Sequence, residues 1–451
     1  MSLALDPREL VPPKGVLELT RDLEKAGFEV WAVGGAVRDA FLGHAHLDWD
    51  LATSATPDQV RTVFGRKRTI PVGIEFGTVK VFDGQGVLHE VTTFRRDVRT
   101  DGRHAEVEFG ASLEEDLARR DFTVNAIAFS PSRRELVDPF GGRKDLGARV
   151  IRAVGDPAAR MREDRLRALR ALRFASRFDF EIDPPTWEAI RDSAPHLTRL
   201  SAERVKQELE KTMDQVKSPS IAIARWRDAG ALAVLVPELS AISGEALRAL
   251  DCAAMPGLAS RPGRRLTRLA VLFSEIKPDD VFGVAARLRF SNHDAHWIAS
   301  LVGRWQSLDS PIVGRLAAGP PDATNVRRWT AAIGRTNLSS FFRMASARWS
   351  ARRDLRGSDD KVPAARAVHS LYRNSLTAAL REPLDLRDLA IDGEDLRQVG
   401  IAPGPQLGTI LSVLLDQVLD DPRLNTRDRL MEEARRVHAD EQGVRAHRRK
   451  R

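Results

Sequence analysis

Residues 31–52 read WAVGGAVRDAFLGHAHLDWDLA, and this stretch carries the strongest indication of the fold and of the chemistry. Apolar residues lead into Gly34 and Gly35, and Asp48 and Asp50 follow before the next apolar run. Two glycines at the end of a strand let backbone N–H groups approach an anion, because no Cβ stands in the way. Asp48 and Asp50 are two positions apart, so on a strand both carboxylates lie on one face.

Two carboxylates on one face repel each other unless a cation lies between them. Mg²⁺ suits such a pair, because it takes oxygen ligands and is often bound by one or two carboxylates together with substrate phosphates. A phosphate-binding turn followed by a pair of metal-binding carboxylates predicts nucleotidyl transfer. A glycine pair alone is usually an ordinary turn, and D-x-D alone is usually a solvated loop. Their order between strand-like runs favours the functional interpretation.

The composition limits the fold and the partners. A chain of 451 residues is too long for one core, so roughly two to four domains are expected. The 71 Lys and Arg outnumber the 63 Asp and Glu, for a net charge of +8. A basic chain favours polyanionic partners, although an arginine-rich soluble protein has the same total.

Cys252 is the only cysteine, which excludes an internal disulfide and a cysteine-based zinc site. This usage fits a reducing cytoplasm. The N-terminal residues do not have the pattern of a signal peptide, and no apolar run is long enough to span a membrane. We therefore predict a cytoplasmic protein without membrane contact.

Strand and helix signals are interleaved only in the first part of the chain. We predict strands at 28–33 and 47–52, a hairpin of strands 78–82 and 87–94, and a helix that Thr56 caps. From residue 184 onward only helical patterns recur. The sequence thus predicts an α+β fold, in which a small mixed α/β head precedes elongated, all-helical neck, body and tail domains. The predicted domains are a head (1–150), a neck (151–215), a body (216–370) and a tail with a basic C-terminus (371–451).

Two segments near the predicted head carry charge whose role is open. Glu90 lies in a run of β-formers, where a carboxylate is costly unless it is paired or faces a metal. It is a candidate third catalytic carboxylate, and an exposed edge position is an equal alternative. Residues 95–108 are polar and contain a glycine, and they predict a mobile loop.

Arginines follow at two further places. Arg119 and Arg120 stand next to an apolar run, and adjacent buried arginines need anions, which a triphosphate would supply. Residues 163–174, EDRLRALRALRF, predict one continuous helix. On it, Asp164, Arg167 and two further arginines recur every third residue, which brings neighbouring side chains within reach of each other.

An Asp-x-x-Arg pair has one specific chemical use. Cytosine and adenine both present an amine donor beside a ring-nitrogen acceptor, which a carboxylate and a guanidinium complement. Uracil and guanine present the reverse pattern, and each buried group left unpaired costs roughly 1–3 kcal/mol. Asp164 and Arg167 would therefore select C and A without a nucleic acid template. Arginines on a solvent-facing helix are the ordinary alternative.

These motifs together resemble the class II tRNA nucleotidyltransferase and bacterial poly(A) polymerase family, within the DNA polymerase beta superfamily. The first stretch matches GG-x-x-R-D and D-x-D, residues 119–126 match RRDFT-x-NA, and residues 163–167 match E-D-x-x-R. Looser matches extend to about residue 435 and include the glycine-rich pattern of residues 393–411. The resemblance implies a polymerase beta-like head.

The resemblance also implies roles for individual residues. Asp48 and Asp50 would bind two Mg²⁺ ions, with Glu90 as a further catalytic carboxylate. Asp101, Gly102 and Arg103 would belong to a flexible loop needed for the final A addition. The nucleotide-binding residues implied are Gly34, Gly35, Arg38, Arg120, Asp164, Arg167, Arg170 and Arg173.

The implied activity is template-independent addition of C, C and A to tRNA 3′ ends from CTP and ATP. A closely related alternative is an enzyme that adds only A, or a poly(A) polymerase. An alternative of another class is a catalytically inactive RNA-binding protein, against which the intact D-x-D argues. The sequence leaves the oligomeric state and the choice between full CCA and A-only addition open.

Overall fold

The structure is a computed structural model that describes residues 10–43, 49–100, 105–253, 261–356, 362–398 and 400–448. The chain divides into two compact units, residues 1–241 and 242–451. The predicted α+β class is confirmed, because a mixed sheet forms in the first unit and only helices occur among the described residues beyond 184. The finer division at residues 150, 215 and 370 stays a prediction.

The first unit contains all the strands that the structure describes. They are β1 (Val30–Val33), β2 (Asp50–Thr53), β3 (Thr69–Ile70), β4 (Thr78–Phe82), β5 (Leu88–Thr93), β6 (Arg95–Thr100), β7 (Ala105–Phe109), β8 (Ala128–Ser130), β9 (Glu135–Val137), β10 (Val150–Ile151) and β11 (Glu181–Ile182). Seven of them form one sheet in the order β3-β4-β5-β2-β1-β8-β9. The interior strand β1 is buried along its whole length, so it anchors the segment that follows it.

Eleven helices of the first unit are described. They are α1 (Lys14–Lys25), α2 (Gly35–Phe41), α3 (Pro57–Phe64), α4 (Leu113–Ala118), α5 (Gly142–Ala148), α6 (Pro157–Glu163), α7 (Leu166–Phe178), α8 (Pro184–Ser193), α9 (Ala202–Gln215), α10 (Pro219–Asp228) and α11 (Ala231–Leu235). The predicted cap of α3 is confirmed, because the Thr56 side chain accepts from the N–H of Gln59 and the Gln59 side chain returns a bond.

Cross-strand pairing confirms the predicted hairpin and corrects the predicted loop. β4 and β5 pair antiparallel from Thr78 to Phe82. The prediction of a loop over residues 95–108 is wrong for the two ends of this range, because β6 and β7 pair antiparallel there. Arg96 donates to Glu108 across this second hairpin at 2.8 Å, and such opposite charges favour strand pairing that a composition-based prediction misses. Asp101, Gly102 and Arg103 lie outside the described residues.

The second unit is helical throughout its described part. Its helices are α12 (Gly244–Cys252), α13 (Arg261–Leu272), α14 (Pro278–Arg287), α15 (Asn292–Ala318), α16 (Ala323–Ile333), α17 (Leu338–Arg356), α18 (Ala365–Arg381), α19 (Gly393–Gln398), α20 (Pro405–Asp420) and α21 (Arg427–Arg448). Leu396, Ile410, Leu414 and Leu430 centre a buried apolar cluster among α19, α20 and α21. No described helix combines the length and apolar character needed to cross a bilayer.

Candidate active site

The glycine turn lies where β1 meets α2. Gly34 has φ +75° and stands immediately before the first residue of α2, a conformation that glycine adopts without strain. A Cβ added there would lie 3.1 Å from Nη1 of Arg120. The fold therefore brings together the glycine and the arginine that the sequence assigned to phosphate binding. The space between them is too small for a larger side chain at position 34.

Arg120 is held beside this turn by a buried carboxylate. Asp116 of α4 lies 2.7 Å from Arg119 and 3.0 Å from Arg120. Its burial opposes ionisation, but the two guanidinium groups outweigh that effect and lower the pKa of Asp116. Asp116 thus remains charged and fixes two cations at one end of the sheet, where the net positive charge suits a phosphate.

Asp50 and Glu90 lie on neighbouring parallel strands. β2 and β5 pair with Leu51 opposite Val91, and Asp50 and Glu90 each stand one residue before that pair. Asp50 is also opposite Val33, the residue before Gly34. The sheet therefore sets both carboxylate-bearing positions at the level of the glycine turn.

The two alternatives for Glu90 are both still open. β5 is an interior strand, yet the Glu90 side chain is 43% exposed and pairs with Lys80 at 3.0 Å. Asp48 lies outside the described residues. Among the residues that the structure does describe, no three His, Cys, Asp or Glu side chains form a group that would hold a metal ion, so the metal assignment depends on Asp48 and stays a prediction.

Arg38 is buried between the sheet and the helical part of the first unit. It donates to Asp39 Oδ1 and to Asn125 Oδ1, and its guanidinium lies 5.0 Å and 4.6 Å from the ring centres of Phe174 and Phe178. Burial lowers the pKa of Arg38, although Asp39 acts in the opposite direction. Its contacts tie α2 to α7, and the predicted contact with a triphosphate stays a prediction.

The helix predicted for residues 163–174 is in fact two helices. α6 ends at Glu163 and α7 begins at Leu166. The break occurs at Asp164, whose extended backbone allows its Oδ1 to accept from the N–H of Leu166 at 3.0 Å. Aspartate competes with helix continuation in this way, so the prediction of one continuous helix is wrong. Asp164 instead lies between the two helices, and its side chain accepts from the first N–H of α7.

Asp164 and Arg167 remain neighbours across this break. The N–H of Arg167 donates to the carbonyl of Asp164 at 3.0 Å. The Asp164 carboxylate also accepts from Arg204 at 2.7 Å, and Arg167 donates to Glu163 at 2.7 Å and to the carbonyl of Arg119 at 2.9 Å. The candidate base-reading pair is thus attached directly to the Arg119–Arg120 segment that flanks the glycine turn.

The two later arginines of α7 have different surroundings. Arg170 pairs with Asp121 at 2.6 Å. Arg173 is 3% exposed and pairs with Glu208 of α9 at 2.6 Å, so its contacts hold two helices together. Burial alone would raise the pKa of Asp121, yet Arg170 and the amide of Asn125 lower it to about 2.

Several residues of this network were not assigned from the sequence. They are Asp39, Asp116, Asp121, Asn125 and Glu208, each of which bonds at least one of the arginines described above. One signal was available for two of them. Asp121 and Asn125 stand four residues apart within RDFTVN and bond to each other at 2.8 Å.

Family models match two parts of the chain. Residues 30–152 match the poly A polymerase head domain. Residues 179–242 match the probable RNA and SrmB-binding site of polymerase A. The first range contains the glycine turn, β2, β5 and the Arg119–Arg120 segment.

Relatives of similar sequence are named CCA-adding enzymes. The CCA-adding enzyme of Bacillus licheniformis is 42% identical over 243 residues, which is 53% of this chain and 59% of that protein. The CCA-adding enzyme of Streptococcus suis is 48% identical over 199 residues, or 44% of this chain and 48% of that protein. The aligned part of the chain therefore spans about half the length of these relatives.

A solved structure extends the similarity over the whole fold. The Bacillus stearothermophilus CCA-adding enzyme in complex with CTP has a TM-score of 0.73 and 28% identity, covering 96% of this chain and 98% of that chain. The sheet and its arginine-bearing helices thus define a head domain of the poly A polymerase type, followed by helical segments. These matches agree with the resemblance to tRNA nucleotidyltransferases and bacterial poly(A) polymerases that the sequence motifs carry.

Proposed function

We propose that this chain adds C, C and A to the 3′ end of tRNA from CTP and ATP, without a nucleic acid template, in the cytoplasm. The relatives named CCA-adding enzymes support the reaction class. The observation that carries the proposal is the contact of Arg167 with the carbonyl of Arg119. That contact joins the candidate base-selecting pair to the candidate phosphate-binding segment, as a site that binds one nucleotide by its base and its phosphates requires.

The triphosphate would lie against the glycine turn. Gly34 and Gly35 offer backbone N–H groups without a Cβ, and Arg120 offers a guanidinium within reach of the same point. Arg38 supports this turn from behind, because its guanidinium is bonded to Asp39 and Asn125. Charge complementarity thus fixes where the phosphates bind before any base is read.

Asp48 and Asp50 are the proposed ligands of Mg²⁺, with Glu90 close by. All three offer only carboxylate oxygens, the donor type that Mg²⁺ prefers, and Asp50 is at the level of the glycine turn. Bound Mg²⁺ would supply positive charge for the triphosphate and for the attacking 3′-hydroxyl. Glu90 would accept a proton, or make a further contact through a carboxylate oxygen, only after its ion pair with Lys80 is broken.

Base selection would rest on Asp164 and Arg167. The carboxylate accepts from the amine of cytosine or adenine, and the guanidinium donates to the ring nitrogen. In the structure, Asp164 pairs with Arg204 and Arg167 pairs with Glu163. These pairs hold the two side chains in place, and an incoming base would exchange with part of them. Arg170 assists from the next turn of α7, beside Asp121.

A primer-extension experiment tests the reaction. Purified protein is incubated with tRNA that ends at the discriminator base, at C or at CC, together with CTP, ATP or both. We expect two additions with CTP alone on the first substrate and the full CCA end with both nucleotides. Addition of A only to the CC end would identify the A-only alternative, and long A tails would identify a poly(A) polymerase.

Variants separate an enzyme from an inactive RNA-binding protein. Asp50→Asn should reduce nucleotide addition about a hundredfold or more, because a ligand charge is lost where transition-state charge develops, while tRNA binding in a filter assay changes little. Equal addition by Asp50→Asn and the unmodified chain would refute the metal assignment.

Selectivity tests the base-reading pair separately. Arg167→Ala should lower the ratio of kcat/KM for CTP over UTP by about tenfold or more, since one charged hydrogen bond contributes roughly 1.5–3 kcal/mol. Arg191→Ala is the matched control, because Arg191 is an exposed arginine of α8 outside the proposed base-reading pair. Unchanged selectivity in Arg167→Ala would exclude this residue from base recognition.

A further inference from the structure

Three arginines lie close together where α6, the start of α7 and the end of α8 meet. Arg162 is in the last turn of α6, and Arg165 immediately precedes α7. Arg199 ends the short 3-10 helix that continues directly from α8, and α6 packs against α8. We call these three residues the arginine cluster. The proposed phosphate-binding and base-reading groups include none of them.

Arg165 is fixed within the cluster by a neutral partner. Its Nη1 donates to the hydroxyl of Ser193 at 3.1 Å, and Ser193 is fully buried at the end of α8. Arg165 itself is half-buried, so the fold and not only the solvent sets its position. A hydroxyl orients a guanidinium without neutralising it. The contact therefore holds a cation in place and leaves its charge uncompensated.

The neighbouring charges that act on Arg165 are positive. Burial lowers the pKa of Arg165, and repulsion from Arg199 and Arg162 lowers it further. Within the described part of the chain, none of the three arginines forms an ion pair. Like charges held close together repel each other, and an anion bound between them would remove this repulsion. The cluster is therefore suited to a negatively charged ligand.

The carboxylates beside the cluster in the sequence are already paired with other arginines. Glu163 accepts from Arg160 and from Arg167. Asp164 accepts from Arg204 of α9 at 2.7 Å. The junction between α6 and α7 thus has one group of arginines that carboxylates neutralise and a second group, the arginine cluster, that they do not.

The position of the cluster favours a nucleic acid strand over a small anion. Arg162 and Arg199 are exposed, so the cluster is open to solvent, whereas a site for a small molecule usually encloses its ligand. Arg165 directly follows Asp164 in the chain, which puts their Cα atoms about 3.8 Å apart. An RNA strand whose 3′ end meets the nucleotide read by Asp164 would therefore bring its last phosphates within reach of Arg165.

We propose that Arg162, Arg165 and Arg199 bind backbone phosphates near the 3′ end of the RNA that is extended. The inference rests on the proposed function, because it takes Asp164 to face the incoming nucleotide. Contacts to phosphates carry no sequence information directly, so the cluster would hold the RNA equally well before each of the three additions. Its members are positioning residues for the RNA, and the reacting groups lie elsewhere.

Direct RNA binding tests the cluster without nucleotide addition. The RNA is a fluorescent minihelix of acceptor stem and T arm that lacks CCA, and anisotropy gives its Kd without nucleotide or Mg²⁺. In the triple variant Arg162→Gln, Arg165→Gln, Arg199→Gln, Kd should rise about tenfold or more. Between 50 and 200 mM KCl, the slope of log Kd against log[KCl] should fall by about two, since each lost phosphate contact removes roughly 0.7–0.9.

A matched variant removes the same charge elsewhere in the first unit. Lys14→Gln, Arg21→Gln, Lys25→Gln changes three exposed residues of α1, and both Kd and its salt slope should stay close to those of the unmodified chain. Two single variants give a second test if the triple variant misfolds. Arg165→Gln should raise Kd about fivefold, and Arg165→Lys, which keeps the charge, should raise it less than about twofold.

Kinetics separate a role in RNA positioning from damage to the base-reading pair. In the triple variant of the cluster, KM for the minihelix should rise in parallel with Kd. The kcat at saturating RNA, KM for CTP and the CTP over UTP ratio of kcat/KM should each change less than about twofold. A displaced Asp164 would lower the CTP over UTP ratio instead, which would reduce the cluster to a structural role and overturn the proposal.

Three further results would overturn it. The first is an equal Kd for the triple variant and the unmodified chain. The second is equal weakening by the α1 variant, which would mean that only total charge matters. The third is a raised KM for CTP with an unchanged Kd for RNA, which would assign the cluster to the nucleotide. Weaker RNA binding by the triple variant of a chain that adds no nucleotides would support the cluster and refute only the proposed function.

Discussion

Gly34 determines both the backbone conformation of the turn and the space available to the Arg120 guanidinium. Its φ of +75° and the position of Arg120 Nη1, which would lie 3.1 Å from a Cβ at this residue, both depend on the missing Cβ. Gly34→Ala should raise KM for CTP and lower kcat/KM about tenfold or more, because the turn is strained and the guanidinium is displaced. Steady-state kinetics with tRNA in excess would measure this.

Gly65→Ala is the control for Gly34→Ala. Gly65 has φ +76°, and a Cβ there would meet nothing within 4 Å. Alanine there therefore imposes a comparable backbone strain where the new Cβ meets no other group, and the kinetics of Gly65→Ala should stay close to those of the unmodified chain. If both alanine variants lost activity equally, strain rather than the contact with Arg120 would explain the loss.

Asp121 gives the site a pH-dependent stability. Its pKa of about 2 in the folded chain is below its ordinary value of 3.8, so its contribution is present above about pH 4 and is lost as pH falls towards 2. The contribution is about 2 kcal/mol in all, of which about 1 kcal/mol disappears between pH 5 and pH 3. Urea titrations should show that Asp121→Asn loses about 1 kcal/mol less than the unmodified chain over this interval.

The exposed carboxylate of Asp192 on α8 provides the comparison. Asp192→Asn should follow the unmodified chain between pH 5 and pH 3. A steeper loss of stability in Asp121→Asn than in the unmodified chain would mean that Arg170 and Asn125 do not hold the Asp121 carboxylate in its charged form.

At the scale of elements, α7 is fixed to α9 by one buried ion pair. Arg173 and Glu208 are 3% and 1% exposed and lie 2.6 Å apart. Glu208→Gln leaves a buried guanidinium poorly compensated and should cost about 3 kcal/mol in the free energy of unfolding. The double variant Arg173→Met, Glu208→Leu should recover most of this loss, since it removes both buried charges. Urea denaturation would measure all three chains.

The exposed pair Arg96–Glu108 joins β6 to β7 with both side chains 55% exposed. Glu108→Gln should change stability little, because solvent screens such a pair. If Glu208→Gln were as harmless as Glu108→Gln, water would have to reach the α7–α9 contact, and Arg173 would be available to a nucleotide after all.

The sequence predicted those helices and strands that neighbouring residues determine by themselves. The β4–β5 hairpin followed from two strand-like runs separated by turn residues, and the start of α3 followed from the Thr56 cap. The break at Asp164 was missed because aspartate in a helical pattern has two competing uses, and only the bond to Leu166 decides between them.

The network around Arg38 was missed for a different reason. Its partners Asn125, Phe174 and Phe178 are far away along the chain, and no local spacing encodes such pairing. The motif residues themselves were found, since the family resemblance needs only their order. What the sequence did not reveal was the partner of each arginine inside the fold, such as Glu208 for Arg173.

At the scale of the whole molecule, charge favours a polyanionic partner. The net charge is +8, and many arginines of the first unit are already paired with carboxylates. RNA affinity would therefore depend on the remaining basic surface and would be sensitive to salt, because cations on the RNA are released when its phosphates are neutralised. Base selection would depend on hydrogen bonds instead, so it should be much less sensitive to the salt concentration than RNA affinity is.

This difference is measurable on the intact chain. Between 50 and 200 mM KCl, the Kd for tRNA lacking its CCA end should rise by about ten- to a hundredfold, whereas the CTP over UTP ratio of kcat/KM should change by less than about threefold. Fluorescence anisotropy and kinetics on the same preparation give both quantities, and urea titrations at each salt concentration exclude unfolding. A salt-independent Kd would mean that neutral contacts hold the RNA. A selectivity that fell in parallel with tRNA affinity would mean that phosphate contacts, rather than Asp164 and Arg167, distinguish the nucleotides.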